Sequence, residues 1–173
     1  MDKSLIQSLF IARRKEDIKS IIKCNEFSKK YGVVLTEKDV NELLERRKEN
    51  LIEEERVEFK GGILPKIIYE FCDSPYIYQD NYVETLEGLQ TIFYMFKNEC
   101  LAELSDDELL SLMKKYFDGE CEGSLEYLEG TFLDSYCRNI RKGLGIRSGD
   151  ELDVYCRKLK ENTINFREDE SYE

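Results

Sequence analysis

Both prolines of this chain, Pro65 and Pro75, fall in one short stretch, FKGGILPKIIYEFCDSPYI (59–77), which also holds the Gly61-Gly62 pair. Proline removes a backbone donor and blocks a helix interior, and glycine inside a helix costs about 1 kcal/mol relative to alanine. A chain of 173 residues with only two prolines and ten glycines therefore has few places where a helix must stop. Long helices that turn a corner near this stretch are the architecture it favours.

Apolar spacing supports that expectation. Leu5, Leu9 and Ala12 mark a short amphipathic helix over Ser4–Ala12. A second, Asp17–Tyr31, turns Ile18, Ile21, Ile22 and Phe27 inward and stops at Gly32, since glycine takes the left-handed conformation at little cost. Thr36 and Asp39 open a third as a capping box, with Val40, Leu43, Leu44 and Leu51 inward and a Glu42–Arg46 pair outside. Arg56-Val57-Glu58-Phe59 alternates, which offers a small two-stranded ribbon of 33–35 with 57–59. Asn81 with Glu84 and Ser105 with Glu108 open two more helices, the second closed by Asp118-Gly119. A further helix, Leu125–Lys142, rests on Leu125, Leu128, Phe132, Tyr136 and Ile140. Asp150–Lys160 is the last, before an acidic tail at 167–173. The expectation is a mainly α, single-domain bundle of six to eight helices over residues 1–166, divisible into lobes 1–58 and 59–166.

Composition limits the chemistry. There is no histidine, so no imidazole base, His-activated nucleophile or His-ligated metal can be built from this chain alone. The six cysteines, at 24, 72, 100, 121, 137 and 156, are too far apart for any Cys-x-x-Cys pair and read as buried thiols of a reducing cytoplasm. The longest runs without a formal charge are too short for the roughly 20 apolar residues of a membrane span. Net charge is −11, distributed as +3 over residues 1–50, −11 over 51–150 and −3 beyond. An acidic body repels phosphate backbones, so the expected partner is a protein, with no nucleic acid and no membrane.

The 59–77 stretch reads first as a hinge. Pro65 suits a helix start, Ser74-Pro75 starts the next turn, and an eight-residue helix lies between the breaks. Ile67, Ile68, Phe71 and Cys72 share one face, with Lys66 and Glu70 an ion pair on the other. Tyr69, Tyr76, Tyr78 and Tyr82 cluster at the break, and rigid amphipathic tyrosines there suit a docking surface. Two rival sites are legible. DGECEGSLEYLE (118–129) places Asp118, Glu120, Glu122 and Glu129 at the oxygen-ligand positions of a calcium-binding EF-hand loop, with Gly123 at the turn, although glutamate is long for the inner positions. Cys72, Asp73 and Lys66 offer an enzyme reading, but no histidine is present to lower the thiol pKa. GLGIRSG (143–149) follows a helix rather than a strand and lacks the third glycine of a dinucleotide fingerprint, so it reads as a connector.

The segments YGVVLTEKDVNELLERRKENL, RVEFKGGILPKIIYEFCDSPYI and GSLEYLEGTFLDSY together resemble an uncharacterised family of small, mainly helical proteins from clostridial-type Gram-positive bacteria, over roughly residues 24–142. That resemblance implies a cytoplasmic protein of no assigned activity and supplies no catalytic residues. The expected function is that of a non-enzymatic interaction or regulatory module, without cofactor. Calcium binding at 118–129 is the first alternative and a Cys72/Asp73/Lys66 enzyme the second.

Overall fold

The computed structural model describes residues 3–58, 62–99 and 104–142. The loop at 143–149, the expected helix at 150–160, the tail at 167–173 and Phe59 lie outside the described residues, as do the side chains of Phe132 and Ile140. Helices follow one another as α1 (Lys3–Lys23), α2 (Asn25–Ser28), α3 (Glu37–Glu53), α4 (Leu64–Phe71), α5 (Tyr82–Glu99), α6 (Asp106–Asp118), α7 (Leu125–Tyr127) and α8 (Asp134–Arg141). Short 3₁₀ turns occupy Lys29–Tyr31 and Gln79–Asn81, and a π segment, Leu128–Leu133, joins α7 to α8. The fold is mainly α, and no strand occurs among the described residues. No described helix is long and apolar enough to cross a membrane.

The centre is α5. Leu86, Leu89, Ile92, Phe93, Tyr94 and Phe96 are all buried, so this helix is apolar around most of its circumference, as a core helix must be. It packs against α3, α4, α6, α7 and α8. Gly88 gives it a notch that Leu125 fills: a Cβ there would lie 2.4 Å from Leu125 Cδ1 and would push that side chain aside. Phe71 of α4 meets Phe117 of α6 edge to face, with ring centroids 5.6 Å apart.

Several expected signals act as read. Thr36 Oγ1 accepts from Asp39 N–H at 3.2 Å while Thr36 N–H donates to Asp39 Oδ2 at 2.7 Å, and Ser105 and Glu108 form the same reciprocal box. Gly32 is left-handed (φ +83°). Pro65 stands in the first turn of the eight-residue α4.

Other expectations are corrected. The ribbon of 33–35 with 57–59 is absent from the described residues. Two side-chain amides serve Val34 and Leu35 as a neighbouring strand would: Asn25 bonds Leu35 N–H and C=O, and Gln79 bonds Val34 N–H and C=O, each at 2.8–2.9 Å. Asn81 does not cap α5 through Glu84; its side chain turns back to Tyr78 N–H and Tyr76 C=O. Arg46 pairs with Glu49 rather than Glu42, and Lys66 with Asp107 at 2.8 Å rather than Glu70. Leu128 and Leu133, at the two ends of the π segment, are both buried.

The largest correction concerns the amino terminus. Arg13-Arg14-Lys15-Glu16 are good helix formers, so the two expected helices run together as one 21-residue α1. At 3.6 residues per turn, the apolar side of residues 5–11 then lies about 140° around the axis from that of residues 18–22. Only one side can face the body. Ile21 is buried with Ile18 and Ile22 against the core, whereas Leu5, Leu9 and Ala12, expected inward, are exposed.

Candidate functional site

The expected tyrosine surface divides. Tyr69 and Tyr78 are 50% and 62% exposed, Tyr76 is half-buried, and Tyr82 is 0% exposed. Tyr82 is therefore removed from the docking set: it lies on the inner face of α5, and burial pushes its phenol well above the ordinary range. Tyr76 packs edge-on to Phe117 and against left-handed Gly123, where a Cβ would meet Tyr76 Cβ at 2.4 Å. Tyr69 packs against Phe27 with the rings tilted at 57°, Phe27 in turn meets Tyr31, and the Lys30 ammonium sits 4.0 Å from the Phe27 ring centre. These rings largely satisfy one another.

The two rival sites converge on a single polar tie rather than on a reactive centre. Ser74 hydroxyl donates to Asp118, and Lys114 bridges Asp118 (2.9 Å) and Asp73. These bonds fasten the corner after α4 to the end of α6. Asp118 is thus occupied, and no group of three or more His, Cys, Asp or Glu among the described residues could hold a metal ion. The 118–129 loop instead closes α6, through Gly123 N–H to Phe117 C=O at 2.8 Å, and then caps α7, through Tyr127 N–H to Ser124 Oγ. Cys72 is buried, and burial followed by the charge of Asp73 raises its pKa, the opposite of what a nucleophile needs. Lys66 is bonded away to Asp107.

A concavity lies elsewhere among the described residues. A groove of about 550 Å³ runs between the middle of α1 (Phe10 to Asp17) and the second half of α3, with apolar walls from Phe10, Leu44, Leu51, Ile52 and Val57 and charged residues of both signs around them. Its end wall arises from Glu55, a non-glycine residue held left-handed (φ +52°). The last turn of α3 closes through Arg56 N–H to Leu51 C=O at 2.9 Å, a wrap that usually ends in glycine. Placing glutamate there costs on the order of 1 kcal/mol and folds Val57 and Glu58 back beneath α1.

Beneath the groove a charged network fixes α1 to α3. Arg47 Nε donates to Glu58 at 3.0 Å, its Nη1 lies 3.8 Å from Asp17, and Tyr94 hydroxyl donates to Glu58 at 2.8 Å. Burial, then the adjacent Glu58 carboxylate, holds the Tyr94 phenol far above its usual range. Arg14 is tied to Glu45 and to Asn41. Arg13, Lys48 and Arg56 have no carboxylate partner among the described residues; Arg13 donates to Glu58 C=O and Arg56 to Asn98. The groove thus presents apolar walls and a lining of five cations against three carboxylates, Asp17, Glu55 and Glu58, on a chain whose net charge is −11.

This chain belongs to a family of unknown function. The family model, DUF6323, matches residues 20–145, which include α3 to α8 and the wall of the groove supplied by residues 44–58. The exposed first half of α1 precedes the match. No curated protein and no solved structure matches the chain.

Proposed function

We propose that the protein is a non-enzymatic interaction module that holds a partner on the exposed side of α1 and in the groove beneath it. The observation that carries this is an apolar surface turned to solvent: Leu9 and Phe10 are 62% and 68% exposed, with Leu5, Ile6 and Ile11 around them, and Ile52 and Val57 are 70% and 78% exposed across the groove. Single exposed apolar residues are ordinary, but a contiguous set beside a concavity marks a contact surface. The tyrosines at 69 and 78 are a weaker surface, because Tyr69 already packs against Phe27. The four described cysteines are free thiols, which suits a reducing compartment such as the cytoplasm.

Affinity capture from native lysate tests the proposal. Wild type and Leu9→Glu/Phe10→Glu should melt alike, since exposed substitutions usually change stability by about 0.5 kcal/mol or less. The double variant should lose the proteins that wild type retains. Retention of the same proteins by both would end the proposal.

A further inference from the structure

We infer that the partner segment this groove takes is an acidic amphipathic helix. The inference rests on the interaction-module reading above and adds the partner's chemistry. Length comes first. Along α1 the groove lining runs from Phe10 to Asp17, about 10 Å at 1.5 Å per residue, a length that matches roughly two turns of a second helix. The apolar residues Phe10, Leu51, Ile52 and Val57 provide the walls into which an i, i+3, i+4, i+7 stripe would insert.

Charge selects the flanks. Arg13, Lys48 and Arg56 stand around this apolar floor with no carboxylate of their own among the described residues; of the lining carboxylates, Asp17 and Glu58 are taken by Arg47, which leaves Glu55 alone against those three cations. Glutamates on either side of the partner's apolar stripe would complete these cations, and lysines there would be repelled. A second copy of the chain fits less well, because a symmetric contact would set the two cationic rims face to face. A lipid surface fits less well too: a planar bilayer cannot fill a concave groove, and the acidic remainder of the chain repels anionic headgroups.

The probe is a synthetic helical peptide of leucines at i, i+3, i+4 and i+7 flanked by glutamates, compared with the same peptide carrying lysines instead. Both are titrated by fluorescence anisotropy against the full chain. The glutamate peptide should saturate, weaken with added salt, and bind at least about tenfold better than the lysine peptide. Arg13→Glu/Lys48→Glu, two exposed sites, should reverse that preference, while Phe10→Ser should weaken the glutamate peptide without reversing it. Circular dichroism of each variant checks that the fold is kept. Equal binding of both peptides, or of neither, overturns the inference. So does a dimer in sedimentation that Phe10→Ser dissolves, or co-sedimentation with phosphatidylglycerol vesicles in place of peptide binding. If the glutamate peptide fails while capture still depends on Leu9 and Phe10, the acidic helix falls and the module stands; if capture is also indifferent, both fall.

Discussion

Replacing Arg47 by methionine isolates the network under the groove. The substitution keeps most of the side-chain volume and removes the only cation that faces both Asp17 and Glu58 among the described contacts. Those carboxylates are 15% and 16% exposed and Arg47 is 9% exposed, so water can screen them only in part. Removing one member of a buried pair typically costs about 3–5 kcal/mol. Glu58 keeps its bond from Tyr94, which places the expected loss at the lower end, about 3 kcal/mol. In a chain of this size 1 kcal/mol moves Tm by roughly 2–4 °C, so the midpoint should fall by about 6–12 °C. Urea and thermal unfolding followed by circular dichroism would measure it. Arg47→Met/Glu58→Gln should be less destabilised than the sum of the two single changes, because only Asp17 is then left without its cation. A loss below about 1 kcal/mol for Arg47→Met, or strict additivity in the double variant, would show that the network holds nothing together.

Two further predictions follow from local geometry. Gly123→Ala forces a side chain onto a left-handed residue (φ +79°) and into Tyr76, so it should cost about 2–5 kcal/mol in urea unfolding, the sum of the backbone and overpacking penalties. Burial, then Glu120, pushes the Cys121 thiol from 9.0 up to about 12. The folded state therefore binds the proton more tightly than the unfolded chain, and its contribution is complete below pH 9 and lost between pH 9 and about 12. Stability should fall across that window by as much as about 1.4 kcal/mol per pH unit from this thiol, and Cys121→Ala should flatten the slope.

Local signals were legible wherever a residue type has one conformational use. The two capping boxes, Gly32 and the corner around Pro65 all act as their sequences suggest. What the sequence hid is set by tertiary partners. Leu5 and Leu9 have the spacing of a buried face, yet the continuity of α1 through Arg13–Glu16 commits that face to solvent, because Ile18, Ile21 and Ile22 already fix the helix's rotation. The groove was missed because its wall is turned by Glu55, where a glycine would have been the signal. Asp118 and Cys72 have the spacing of a site, but their neighbours Lys114 and Ser74 use that corner as a clamp.

The reversal of faces in α1 has a dynamic consequence. Residues 3–12 have no buried side chain, and an isolated helix shorter than about 12–15 residues is marginal in water. This end of α1 is therefore expected to fray more readily than the end anchored by Ile21. Whatever seats itself against Phe10 must first freeze that fraying, so the amides of residues 5–12 would trade their protons for deuterium fastest in the free molecule and slow first upon capture.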